Sequence, residues 1–179
     1  MISISRYLLL PLCLLLSTVT LWGQSPSLEA FYQRYEKLEA VSQVKLQGWL
    51  LEMAAEYSDE AEAERLLKEL SYVRVMIFPE GQAVEKQAVK DLVKSLKGES
   101  FGELMQIRDE GTRVDILTRE ENESITGLVA LINEPNEQFI LLSLEGSLRF
   151  KDLRRLRINV DGMEHLEKLP EQRAEGPRP

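Results

Sequence analysis

Two residue types that carry much of protein chemistry are nearly missing from this sequence of 179 residues. It contains one histidine and one cysteine, which excludes an internal disulfide and any metal site built from several of these residues. The glycine-rich phosphate-binding loops and the G-x-S-x-G motif of serine hydrolases are also missing. Because 44% of the residues are hydrophobic, the chain can still form a packed core. We therefore expect a folded protein and assign no catalytic residue, cofactor or metal.

The first 23 residues have the pattern of a secretory signal peptide. Arg6 is followed by an apolar run from Tyr7 to Leu16, and then by the small residues Ser17, Thr18, Thr20 and Gly23. The run contains Pro11 and is shorter than the ~20 apolar residues that span a bilayer, so a permanent anchor is the less favoured alternative. We predict a signal peptide at 1–23, cleavage after Gly23, and export of the rest to the periplasm or envelope.

Cys13 lies inside the predicted signal and not at its end. Bacterial lipoproteins carry their cysteine directly after a small residue, whereas Leu12 precedes Cys13 and the apolar run continues beyond it. We therefore do not expect a lipoprotein. Cleavage would also remove Arg6, so the mature chain would have no cysteine and a net charge of -9 instead of -8. Its stability would then depend on burial of apolar surface.

The first part of the mature chain is predicted to be mainly helical. Ser27 is a candidate N-cap for a helix whose apolar positions are Leu28, Phe31, Tyr32, Tyr35 and Leu38. A short half-buried strand is predicted at 44–48, and a second helical stripe follows at Trp49, Leu50, Met53, Ala54 and Tyr57. Asp59 and Glu62 resemble a capping box that opens a third helix. We expect these stripes to pack in the core.

The later part of the chain is predicted to be rich in strands. The sequence YVRVMIF at 72–78 predicts an interior strand, with Arg74 as the polar exception, and an amphipathic helix follows it and ends at Gly98. Four strands joined by short turns then predict an antiparallel meander. In the first of these, Phe101, Met105 and Ile107 are expected to share one face, with Glu103 interrupting it.

This order of elements predicts an α+β fold: a single domain at 24–157 in which helices pack on one face of a mostly antiparallel sheet. Ser147 is expected to cap a last helix with apolar positions at Phe150, Leu153 and Leu156. The polar C-terminal tail at 158–179 ends in Gly-Pro-Arg-Pro, and we expect it to be disordered.

The residues most often used in catalysis offer few candidates. His165 is the only histidine, and it falls in the predicted tail, where no third group would hold it against a partner. Thirty acidic residues make carboxylate pairs inevitable, and a glycosidase needs two of them across a sugar. The acidic run at 120–123 is expected to be a solvated turn. Glu103 and Asp115 fall in predicted strands and are the better candidates for a groove.

A short basic cluster opposes the charge of the rest of the chain. The segment at 149–157 has a net charge of +4, whereas 24–148 has a net charge of -11. The cluster is a candidate patch for an acidic partner or for anionic lipid headgroups, but the interpretation we favour is that it offsets an acidic domain. Its members are Arg149, Lys151, Arg154, Arg155 and Arg157.

The chain resembles an uncharacterised family of exported proteins from Gram-negative bacteria, catalogued as domain of unknown function 4252. The resemblance rests on the signal, on residues 31–55, on the strand VRVMIF, and on phrases such as LMQIRDEG and LLSLEGSLRFKDL. It spans nearly the whole mature chain, and only the tail after Leu156 departs from the family pattern. It implies a small envelope or secreted α+β protein. The family has no established activity, so no catalytic residues are carried over.

Three functions remain open at this point. The first is a non-enzymatic envelope protein that binds another protein. The second is a carboxylate-dependent hydrolase of envelope glycans that uses Glu103 or Asp115. The third is a binder of a lipid or other small apolar ligand, in a pocket lined by Tyr32, Tyr35, Trp49 and Met53. Nucleic acid is not expected as a partner of an exported acidic protein, and a membrane surface is a weaker candidate than a protein.

Overall fold

The computed structural model describes residues 25–80, 84–109, 111–134 and 138–150. The predicted signal at 1–23, the predicted tail at 158–179 and most of the predicted last helix lie outside these residues. In chain order the elements are α1 (Pro26–Tyr35), β1 (Ser42–Gln47), α2 (Trp49–Glu56), α3 (Ala61–Glu69), β2 (Leu70–Pro79), α4 (Lys86–Gly98), β3 (Gly102–Asp109), β4 (Thr112–Glu121), β5 (Ser124–Glu134) and β6 (Gln138–Leu148).

The six strands form one antiparallel sheet in the order β1-β2-β6-β5-β4-β3. The predicted α+β fold is therefore confirmed, and so is the meander, because β3 to β6 are neighbours in chain order. The strand β2 lies between β1 and β6, which confirms the interior strand at 72–78. The β4–β5 turn consists of Asn122 and Glu123, whose φ angles of 49° and 66° suit a tight two-residue hairpin.

The helices lie on both faces of the sheet, whereas the sequence analysis predicts that they all pack on one face. We call the two sides the α1 face and the α2 face. On the α1 face, Met76 and Phe78 pack in one core cluster with residues of α1 and α4, namely Leu28, Phe31, Leu92 and Leu96. On the α2 face, Val73 and Val75 pack with Leu51, Leu66 and Leu67 of α2 and α3. The division follows from strands that are apolar on both sides, because each side must be covered.

A β-bulge in β3 reverses one prediction about which residues share a face. The pairing of β3 with β4 shifts between Glu103 and Met105, so Leu104 is an extra residue in the strand. Met105 packs with the α2-face cluster, and Phe101 packs with the α1-face cluster. The expectation that Phe101 shares a face with Met105 was therefore wrong, because strict alternation does not survive an inserted residue.

Three predicted helix caps were also wrong. The side chain of Ser25, not Ser27, accepts a hydrogen bond from the backbone N–H of Leu28, and Pro26 opens α1, where a missing N–H costs nothing. The helix α3 begins after Glu60 with no side-chain cap, so Asp59 does not form a capping box. Ser147 lies within β6, which continues to Leu148. Leu148 is buried and pairs with Ile125 of β5.

Candidate functional site

The helix α2 has two apolar sides, and only one of them is buried. It begins after Gly48, whose positive φ of 55° turns the chain out of β1. Leu51 and Ala55 lie on the side that faces the sheet and are 2% and 0% exposed. Trp49 and Met53 of α2 and Tyr57, its C-cap residue, follow one another at intervals of four residues, which places them along one side of the helix and its end.

This line of side chains, which we call the apolar stripe, faces solvent. Trp49 is 67% exposed, Met53 is 41% exposed and Tyr57 is 81% exposed. The expectation that the α2 stripe packs in the core was therefore wrong for these three residues, whereas Leu50 and Ala54 are half-buried. Single exposed apolar residues are common on proteins, but an aligned set that contains tryptophan, tyrosine and methionine has the composition of interface centres.

The apolar surface continues at the neighbouring edge of the sheet. Val44 in β1 is 53% exposed and pairs with Val75, so its side chain lies on the α2 face. Among the described strands, β1 pairs with β2 alone, which leaves its outer edge without a strand neighbour. The helix α2 packs against β1 and β2. The helix that carries the apolar stripe and the side chain of Val44 therefore lie on the α2 face of the sheet, at its β1 edge.

The predicted basic cluster is only partly within the described residues. Arg149 is exposed and follows the end of β6. The other members, Lys151, Arg154, Arg155 and Arg157, lie outside the described residues, as does His165. The cluster therefore stays a prediction.

The two carboxylates proposed for a hydrolase are each held by a cation. Asp115 is buried and accepts hydrogen bonds from Arg113 Nε at 2.7 Å and from Gln106 Nε2 at 2.6 Å. Glu103 accepts one from Lys97 Nζ at 3.2 Å. The bond to Asp115 also raises the pKa of Arg113. Both carboxylates are therefore engaged by cations of this chain, whereas the acid of a glycosidase needs an environment that favours its protonated form.

Glu145 in β6 does have such an environment. It is 9% exposed and lies between Tyr72 of β2 and Gly127 of β5 in the cross-strand register. Burial raises its pKa to about 7, and the charge of Arg119 partly opposes the rise. Glu145 is therefore a carboxyl group whose charge changes near neutral pH. The sequence analysis missed it because LLSLEGSL gives no sign of which face is covered.

Arg74 of β2 is also buried, and it links α1 to the sheet. The Arg74 side chain is almost fully buried, and its Nη2 donates hydrogen bonds of 3.0 Å to Glu36 and to Gln43. Its Nη1 lies 3.5 Å from a carboxylate oxygen of Glu29. Arg74 therefore joins β2 to both ends of α1. These contacts explain why a charged residue occupies an interior strand, because Arg74 links that strand to α1.

The four residues proposed to line a ligand pocket do not come together. Tyr32 and Tyr35 belong to α1 and pack with the α1-face cluster. Trp49 and Met53 belong to α2, whose buried Leu51 packs with the α2-face cluster. The sheet separates the two pairs, so they cannot line one pocket.

These features define an α+β domain with an aligned set of exposed apolar side chains on one helix. No helix within 25–80, 84–109, 111–134 or 138–150 is long and apolar enough to cross a membrane. The chain belongs to the family described as Domain of unknown function (DUF4252), whose family model matches residues 35–156. The matched segment includes β1, α2 and the whole apolar stripe. No curated protein and no solved structure matches the chain.

Proposed function

We propose that this is an exported, non-enzymatic protein of the periplasm or envelope that binds another protein through the apolar stripe. The observation that carries the proposal is the alignment of Trp49, Met53 and Tyr57 in solvent on a helix that Leu51 and Ala55 hold against the sheet. A rigid helix that presents aromatic side chains loses little conformational entropy when it binds.

A protein partner explains the stripe better than a membrane surface does. Helices that lie on anionic membranes carry lysine and arginine beside their apolar face. The segment Trp49–Glu56 has two acidic residues, Glu52 and Glu56, and no basic residue. Anionic headgroups would repel these carboxylates.

A binding role also fits the carboxylates that a hydrolase would have used. Asp115 accepts a hydrogen bond from Arg113, and Glu103 accepts one from Lys97, so both are engaged by this chain's own cations. Export rests on the sequence pattern of the first 23 residues.

Capture from an envelope extract tests the proposal. The full chain is compared with a double variant, Trp49→Ser with Tyr57→Ser, and with Leu38→Ser, which removes an apolar side chain that is 42% exposed outside α2. We expect one protein to be recovered with the wild type and Leu38→Ser and lost with the double variant. Equal recovery with all three, or none above background, contradicts the proposal. Circular dichroism confirms that the variants are folded.

A further inference from the structure

We infer that the partner presents a cationic amphipathic segment, whose apolar side covers the apolar stripe and whose lysine or arginine side chains meet the acidic residues beside it. This inference rests on the proposed function and specifies the chemistry of the partner at the same site. It is carried by the charges around α2.

Carboxylates border the stripe along one side. At 3.6 residues per turn, Glu56 lies beside Trp49 around the helix, and Glu52 lies one step further from the stripe. Both are exposed. Among the described residues, neither makes an ion pair within 4.0 Å. A partner cation could therefore bind either one without displacing a cation of this chain.

The acidic character continues beyond α2. Residues 49–64 contain six carboxylates and no basic residue, and Asp59 and Glu60, both exposed, follow Tyr57 after one intervening residue. Arg65 follows this segment, and Lys68, which feels the charge of Glu56, bonds Glu64 at 2.6 Å. The stripe therefore lies in a negative local field, which attracts cationic segments.

The same charges disfavour a second copy of this chain as the occupant. A two-fold contact places one surface patch against itself. Two apolar stripes in such a contact would bring Glu52 and Glu56 close to their own counterparts, and like charges across an interface oppose association. A segment with lysine or arginine beside its apolar side meets the same surface with complementary charge.

Fluorescence of Trp49 reports on this surface directly. The chain contains two tryptophans, Trp22 and Trp49, so the full chain with Trp22→Phe has its only indole in the stripe. The probes are three synthetic amphipathic peptides with the same apolar residues, whose polar positions are all lysine, all glutamine or all glutamate. Burial of Trp49 by a bound peptide moves its emission to shorter wavelength.

We expect the lysine peptide to saturate this shift with an affinity in the micromolar range, at least about tenfold tighter than the glutamine peptide, and to weaken as salt is added. The double variant Glu52→Lys with Glu56→Lys should instead prefer the glutamate peptide. The matched control, Glu121→Lys with Glu123→Lys, reverses two exposed carboxylates at the hairpin that joins β4 to β5, outside residues 49–64, and should behave as the wild type.

Two results overturn the inference. If the glutamine or glutamate peptide binds as tightly as the lysine peptide, the charge argument fails while the stripe remains a binding surface. If no peptide changes the emission, the cationic partner is rejected, and envelope capture still decides separately whether the stripe binds any protein.

Discussion

The guanidinium of Arg74 lies over the ring of Tyr32, with its central carbon 4.0 Å from the ring centroid. The hydroxyl of the same tyrosine shares a hydrogen bond of 2.6 Å with Ser143 of β6. Burial is the main cause that raises the pKa of Tyr32 well above its ordinary value, so the phenol stays protonated. One tyrosine of α1 thus connects two interior strands through a cation–π contact and a buried hydrogen bond.

Removing the positive charge from this connection should destabilise the fold. Arg74→Met keeps most of the side-chain volume but ends the cation–π contact and leaves Glu29 and Glu36 without their cation. We expect the free energy of unfolding, measured in urea, to fall by about 2 kcal/mol. The control Arg34→Met breaks an exposed pair with Glu85 and should change it by less than ~0.5 kcal/mol. Equal effects of the two substitutions would contradict this account of Arg74.

Glu145 should make stability depend on pH. Its pKa is about 7 in the folded protein and 4.5 in its ordinary environment, so the unfolded chain ionises first. The contribution of Glu145 to stability is therefore fully present below pH 4.5 and is lost as pH rises through about 7. We expect Glu145→Gln to match the wild type near pH 4.5 and to exceed it by roughly 1–2 kcal/mol near pH 8 in urea unfolding. A difference that stays the same at both pH values would show that the charge of Glu145 is not responsible.

The β4–β5 turn offers a stabilising substitution. Glu123 has a φ of 66°, a conformation that costs a residue with a Cβ about 1 kcal/mol and costs glycine little. Glu123→Gly should therefore raise the melting temperature, by an amount equivalent to roughly 0.5–1 kcal/mol. Glu121→Gly, two residues earlier in a paired strand, should lower it. The turn assignment is wrong if both substitutions lower the melting temperature.

Truncation should destabilise the fold on the buried side of α2 and leave its stability nearly unchanged on the exposed side. We expect Trp49→Ser to change the free energy of unfolding by less than ~0.5 kcal/mol, because the indole is already solvated. Leu51→Ala removes a side chain that is 2% exposed and should cost about 2–4 kcal/mol. Chemical denaturation of both variants makes the comparison. A large loss for Trp49→Ser would mean that the stripe belongs to the core.

The sequence predicted what depends on local pattern. Alternating strands and short turns were enough for the meander, and the continuous apolar run at 72–78 was enough for an interior strand. Features that depend on tertiary context were missed. Periodicity predicted one apolar stripe in α2 that begins at Trp49 and packs in the core, whereas the sheet covers the side that carries Leu51 and Ala55. An inserted residue at Leu104 likewise moved Phe101 to the opposite face from Met105, which no single-strand pattern reveals.

The most direct test of the binding role is photo-crosslinking from the stripe in intact cells. A photoreactive amino acid replaces Met53 in one strain and Lys90, an exposed residue of α4, in another. We expect a discrete crosslinked adduct with one other protein from position 53 and none from position 90. The account is contradicted if position 53 forms no adduct, or if the two positions give the same adducts.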